Sequence, residues 1–220
     1  MLLLALDTAT EKGCLALLAG DLVLGELSLE IPGTYLQHLL PGVASLLQGT
    51  GRRLEELRAI GVSQGPGNFT GLRIGLATAK ALAWALGCPL VAVSTLEVLA
   101  AQFPFQSRPV GVLMDAKRQE VYLGVYACPD NRPRPRKDPV RLALADLPRQ
   151  LEPPLLLTGP GVTAYEEFLR DRLPPDIRLA PPEMRYPRAS SLARLARLRL
   201  EEGLVAPPQN LVPTYLRPAL

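Results

Sequence analysis

The sequence predicts an α/β protein made of two lobes on one plan. A buried strand that ends in aspartate and is followed by a returning strand occurs twice. Laid over one another, residues 4–17 and 112–125 put Asp7 against Asp115 and hairpin against hairpin. A strand, a Gly-Pro-Gly turn and a helix also occur twice, at Gly65-Pro66-Gly67 and at Gly159-Pro160-Gly161. Such self-similarity points to internal duplication. The 220 residues suffice for one large domain or two small lobes, and 48% hydrophobic content supplies a sizeable core. The proline-rich stretch 103–109 marks the boundary, giving lobes 1–105 and 106–220.

Residues 2–6 are continuously apolar, as a strand buried on both faces is. Asp7-Thr8-Ala9-Thr10 turns the chain, 13–19 returns as a second strand, and 21–30 alternates as a third, an antiparallel meander. Ile31-Pro32-Gly33 breaks it. Thr34 is the expected N-cap of a helix to about Gln48, with Leu36, Leu39, Leu40, Val43, Leu46 and Leu47 on its apolar side and Pro41 as a kink. A short helix over 52–58 leads to the stretch that organises the chain, 59–87. There a strand at 59–62 enters Gly65-Pro66-Gly67-Asn68-Phe69-Thr70-Gly71 and then a long apolar helix ending at Gly87. Asn68 or Thr70 caps that helix. A strand, a glycine turn and a helix N-terminus make an anion-binding shape, because free N–H groups point outward. A tight connection with no ligand explains the turn equally well.

A buried strand at 90–93 and a helix at 95–101 complete the first half. The second half reads as strands at 110–117 and 120–127, then a basic, proline-rich loop over 130–137. A solvated loop is favoured there over a nucleic-acid phosphate contact. A strand at 155–157, a helix over 163–170, a strand at 177–180 and an amphipathic helix capped by Ser190 or Ser191 and running to Glu202 follow.

Several function classes are disfavoured. The net charge of +3 is too small to argue for a nucleic-acid binder. Cys14, Cys88 and Cys128 show no CxxC spacing and read as small buried hydrophobes in a reducing cytosol. No basic residues precede the apolar N-terminus, which reads as a strand rather than a signal peptide, and no run approaches the ~20 residues of a membrane span. The glycine turn lacks the Walker lysine-serine pair and is not GxGxxG. No GxSxG is present, and Ser63 and Ser94 have no obvious base. His38 is the one histidine, so an i, i+4 imidazole pair for a metal cannot be built. Mg²⁺ on carboxylates such as Asp7 and Asp115 stays open. His38 itself reads as a surface or interface residue before a general base.

The string GPGNFTGLRIG resembles the GPGSFTGLRIG signature of the TsaB (YeaZ) family. LALDTAT, VAVSTL, MDAKRQEVY and PTYLR extend the likeness over essentially the whole chain. The resemblance implies a two-lobed ASKHA (actin, sugar kinase, chaperone) fold with duplicated ribonuclease H-like lobes. It also implies a cytoplasmic, non-catalytic scaffold and activator. Such a protein dimerises with TsaD while TsaD transfers threonylcarbamoyl, from the adenylate made by TsaC, to an adenosine of tRNA. TsaE is a further implied partner, a homodimer is implied when the chain is alone, and tRNA contact is indirect or weak. TsaD holds its metal with an HxEGH-type histidine pair; the corresponding stretch here, Ser94-Thr95-Leu96-Glu97-Val98-Leu99, keeps only Glu97. The family's histidine before Leu-Leu-Pro is replaced by Tyr35, with His38 one turn later.

From the resemblance, Asp7, Thr8, Gly65, Pro66, Gly67, Asp115, Gly159 and Gly161 are the candidate nucleotide contacts. No cofactor is required, and weak or vestigial ATP or ADP with Mg²⁺ is the expectation. Aspartates that simply close β-turns explain the same positions. The candidate partner interface is the small-residue face Gly71, Gly75 and Ala79, continued by Ala83, with Leu72, Arg73 and Leu76 beside it and Leu36, Leu39 and Leu40 from the first helix. Residues four apart share a helix face, and a flat face admits another helix closely; packing on the chain's own sheet is the alternative. Two rival functions are an ATP-dependent small-molecule kinase of the same fold and a glycoprotease-like peptidase.

Overall fold

A computed structural model describes residues 1–30, 35–205 and 207–214; the side chains of Tyr35 and Leu36 lie outside that description. The chain divides into two compact units, Met1–Val98 with Pro187–Thr214, and Leu99–Tyr186.

In the first unit β1 (Leu2–Asp7), β2 (Lys12–Ala19) and β3 (Leu22–Glu30) form the meander. Then come α1 (Tyr35–Gly49), β4 (Leu57–Gly65), α2 (Phe69–Leu86), β5 (Leu90–Ser94) and the start of α3 (Thr95–Ala100), whose last two residues fall in the second unit. The sheet order is β3-β2-β1-β4-β5, with β4 and β5 parallel to β1 and to each other respectively. Every residue of β1 is buried, as its unbroken apolar run requires of a central strand. Strand alternation sends Leu2, Leu4 and Leu6 into one core with Leu39, Val43 and Leu47 of α1 and Leu76, Ala79 and Ala83 of α2. Each fully buried leucine there contributes roughly 1.5–3 kcal/mol. The expected helix over 52–58 is only a 3-10 turn, Leu54–Glu56, because Leu57 already pairs with Leu2 in the sheet. Gly87 ends α2 in the left-handed region at φ 61°, its N–H donating to Ala83 and Trp84 carbonyls.

The second unit holds β6 (Val110–Lys117), β7 (Glu120–Ala127), β8 (Arg134–Ala143), α4 (Leu147–Gln150), β9 (Leu155–Thr158), α5 (Pro160–Ala164), α6 (Glu166–Arg172) and β10 (Ile177–Leu179). Its sheet order, β10-β9-β6-β7-β8, is the first unit's order element for element. The internal duplication is therefore present as topology. Two expectations change. The basic segment expected as a loop becomes, from Arg134 on, the edge strand β8; Pro135 and Pro139 are compatible with an edge, where a missing N–H need not break a ladder. The single helix expected over 163–170 is two short helices, separated at Tyr165, whose φ is −123°.

The last helix, α7 (Ala189–Glu201), belongs to the first unit and not to a lobe 106–220. Small residues bring it close to the other face of the first sheet: Cys14, Ala16 and Ala189 cluster, and a Cβ added to Gly61 would meet Ala196 Cβ at 2.8 Å. Arg197 pairs with Asp21 and Arg199 with Glu97 along the same contact. Its expected serine cap is also corrected. Ser190 and Ser191 are buried inside the first turn, and the capping group is the Glu26 carboxylate of β3, which accepts the Ser190 N–H at 2.9 Å and pairs with Arg188 at 3.1 Å. The expected Thr34 cap and the Tyr215-Leu216-Arg217 part of the closing motif lie outside the described residues. Among the described residues no helix is long and apolar enough to cross a membrane.

Candidate functional site

The parallel register sets Leu6 beside Val62, so Asp7 at the end of β1 lies next to Ser63 of β4. Asp7 is wholly buried. Its Oδ1 accepts the Ala9 N–H at 2.8 Å, and the Ser63 hydroxyl donates to Oδ2. Burial pushes the Asp7 carboxyl above its ordinary pKa, against the pull of those two bonds. The Thr8 hydroxyl donates to the Gly71 carbonyl at 2.7 Å, and the Asn68 N–H donates to the Ala9 carbonyl at 2.7 Å. Asn68 Oδ1 accepts the Gly71 N–H at 2.8 Å, the expected cap of α2.

Asp7, Thr8, Gly65, Pro66 and Gly67 are thus gathered in one place, but the space the glycines open is filled by this chain. A Cβ on Gly67 would lie 2.3 Å from the Ala9 carbonyl oxygen. One on Gly65, at φ 109°, would lie 2.8 Å from the Thr214 carbonyl oxygen. Thr214 N–H donates to the Gln64 carbonyl and Gln64 Nε2 to the Val212 carbonyl, both at 2.8 Å, so residues 212–214 strap the turn. As folded, these groups do not fit a Mg-nucleotide: the carboxylate is bonded and shut from water, and the cradle holds the chain's own backbone.

In the second unit Asp115 lies close to the turn that follows β6, two residues before the end of the strand. Its Oδ1 accepts the Lys117 N–H at 2.7 Å and the Tyr165 hydroxyl at 2.8 Å, and its Oδ2 accepts Lys117 Nζ at 2.7 Å. Burial raises its pKa, but the Lys117 and Tyr165 bonds outweigh burial and hold it below the usual carboxylate range. The Tyr165 hydroxyl, partly buried and bonded to that carboxylate, is pushed up to about 12. Gly159 and Gly161 serve close approach to β6: added Cβ atoms would lie 2.3 Å and 2.9 Å from Leu113 backbone atoms.

The predicted partner face is largely inside the first unit. Leu39, Gly71, Leu72, Gly75, Leu76 and Ala79 are all buried, and a Cβ on Gly75 would meet Thr8 Oγ1 at 2.1 Å. The small-residue spacing brings α2 down onto the β1–β2 turn, which is the reason the stripe cannot face a partner. Leu40 and Arg73 are exposed as expected; the Leu36 side chain lies outside the described residues. The outward face of α2 is instead Phe69, Arg73, Ala77, Ala81 and Trp84, with Arg73 stacked 3.7 Å over the Phe69 ring. Trp84 is 86% exposed and Leu40 of α1 54%.

Sequence reasoning passed over Ser63, Tyr165 and Lys117 as partners of the two aspartates. The parallel pairing of β1 with β4 would have found Ser63; Tyr165 depends on how α5 ends and carries no local signal. His38 is exposed on α1. Glu97 is committed to Arg199, its carboxyl raised by burial against that pairing.

A family model described as "TsaD: tRNA N6-adenosine threonylcarbamoyltransferase" matches residues 33–219. The tRNA threonylcarbamoyladenosine biosynthesis protein TsaB of Bacillus subtilis is 32% identical over 99% of this chain and 94% of its own length. A solved structure of YeaZ from Pseudomonas aeruginosa aligns with TM-score 0.82 and 31% identity over 97% of this chain and all of that one. An activator of 2-hydroxyisocaproyl-CoA dehydratase from Clostridium difficile, solved with ADPNP, shares the fold at TM-score 0.57 and 12% identity, covering 93% of this chain and 97% of its own. With the repeated sheet order, these likenesses give the ASKHA-type architecture, and the chain belongs to the TsaB (YeaZ) family of tRNA threonylcarbamoyladenosine biosynthesis proteins.

Proposed function

We propose that this member of the tRNA threonylcarbamoyladenosine pathway acts as a scaffold and activator that binds TsaD through the outward face of α1 and α2. The observation that supports this most is the exposed row Phe69, Arg73, Ala77 and Trp84, joined by Leu40. Apolar side chains at i, i+4 spacing on a surface helix are the usual material of a helix–helix interface, and tryptophan and arginine are among the residues enriched at interface hot spots. The same face serves a homodimer when the chain is alone. TsaE and TsaC are partners through the pathway, tRNA contact is indirect, and the setting is the cytoplasm. No nucleotide is needed by this chain: Asp7 and the glycine turn hold the β1–β2 turn to α2. Any ATP or ADP with Mg²⁺ binds weakly, on the Asp115 side, where a carboxylate reaches solvent.

The test is reconstitution of tRNA modification from TsaD, TsaC and TsaE with and without this chain. Full activity without it would refute the scaffold reading. Trp84→Ala with Phe69→Ala should leave the fold intact and lower both TsaD binding and modification, by at least ~10-fold if these are hot spots.

A further inference from the structure

The edge strand β8 carries two register shifts against β7. Leu123 pairs with Val140 and Val125 with Lys137, so two steps on β7 span three on β8; Tyr126 then pairs with Pro135, one step against two. On a regular strand Arg136, Lys137 and Asp138 would alternate between faces. Here all three line one cavity of about 180 Å³ in the second unit. Bulges re-aim side chains in this way beside binding sites. The apolar lining is Leu123 and Leu155, which are buried, Val125, which is partly buried, and Val140, which is exposed at the rim.

The rim charges sort into two kinds. Lys137 is paired with Glu152 at 2.5 Å. Arg136 and Asp138 have no hydrogen-bond or ion-pair partner among the described residues, although the Arg136 charge is felt by Glu152. Two unpaired charges of opposite sign, two residues apart, thus stand at the mouth of an apolar hole. A guanidinium takes a carboxylate in bidentate fashion, and a carboxylate takes an ammonium. The cavity is slightly larger than one of about 150 Å³ that accepts benzene, so it suits a branched or aromatic side chain.

We propose that this cavity binds a free apolar α-amino acid as its zwitterion, with the carboxylate on Arg136, the ammonium on Asp138 and the side chain on Leu123, Val125 and Leu155. The site is separate from the α1–α2 face, and its failure would leave the proposed function untouched.

Methyl NMR of the full chain titrated with L-leucine and L-phenylalanine tests it. Saturable shifts confined to the Leu123, Val125, Val140 and Leu155 methyls are expected. 4-Methylpentanoate and isopentylamine, which each lack one charge, should bind at least ~10-fold more weakly, the loss of one charge-assisted bond. Arg136→Gln and Asp138→Asn alter exposed side chains, and each should weaken leucine binding by a similar factor. Absence of saturable shifts at tens of millimolar ligand overturns the proposal. So does equal binding of the single-charge analogues, or binding unchanged in both variants.

Discussion

Thr8 and Gly71 are locked together across 63 residues of sequence: the Thr8 hydroxyl donates to the Gly71 carbonyl at 2.7 Å, and a Cβ on Gly71 would lie 2.0 Å from the Thr8 carbonyl oxygen. The β1–β2 turn and the start of α2 are one packed unit, and glycine is what lets them meet.

Alanine at these glycines should therefore destabilise the isolated chain. Gly71→Ala meets backbone, and Gly75→Ala meets Thr8 Oγ1 at 2.1 Å; overpacking of this kind costs about 1–3 kcal/mol or more. The two differ in rescue. Thr8→Ala removes the atom that obstructs Gly75→Ala, so that double variant should lose less than the sum of its parts, whereas Gly71→Ala gains no such relief. Urea unfolding of the two cycles measures both. If the glycines faced a partner instead, none of these variants would change the stability of the free chain.

The Asp7–Ser63 pair gives a pH dependence of definite sign. The folded pKa of Asp7 is raised by burial, so the native state holds its proton more tightly than the unfolded state. Stability from this group is present below the ordinary carboxylate pKa and falls as pH rises through the folded value. Asp7→Asn keeps an acceptor for the Ala9 N–H and cannot ionise. Its denaturation midpoint should be flatter with pH over that window and no lower than the parent's at neutral pH. Ser63→Ala leaves a buried carboxyl oxygen without its donor and should cost about 1–3 kcal/mol. A steeper fall of Asp7→Asn with rising pH would reverse the sign.

The hairpins, the opening meander and both Gly-Pro-Gly turns were legible because they rest on local signals: period-two alternation, apolar runs and glycine punctuation. Which side of α2 faces out was not. Gly71 and Gly75 spaced four apart describe a flat face, and a flat face serves a sheet turn as well as a partner; only the place of Thr8 decides between them. The cap of α7 was hidden for a related reason. Ser190 is a good capping residue by type, but the group that does the work, Glu26, lies 164 residues away on β3. The edge strand β8 was masked by Pro135 and Pro139, which argue against a strand unless it is known to lie at an edge.

Glu26 supplies the next expectation. It accepts the Ser190 N–H and pairs with Arg188, placing a negative charge at the positive end of α7. Glu26→Ala removes cap and charge together and should cost about 0.5–2 kcal/mol. Because α7 closes one face of the first sheet, the loss should appear in hydrogen exchange as faster opening of the first turn of α7, ahead of β1. Uniform acceleration through both elements would argue that α7 is held by its apolar face alone.

Asp115 should respond to pH in the opposite sense from Asp7. Its folded pKa is lowered: burial works against this, but the Lys117 and Tyr165 bonds prevail. Stability from this group is present above the ordinary carboxylate pKa and is lost as pH falls through the folded value. Tyr165→Phe removes one of three hydrogen bonds to the carboxylate. The Asp115 titration, followed by its side-chain carboxyl ¹³C shift, should then move up toward the ordinary value, and the acid limb of the stability curve should become shallower. Lys117→Met, which removes the ammonium and keeps the Lys117 N–H, should move the titration the same way. Both variants alter partly or fully exposed side chains, so neither should change the neutral-pH fold. A titration of Asp115 that stays put in both would mean that the β6–β7 turn, through the Lys117 N–H, holds the carboxylate by itself.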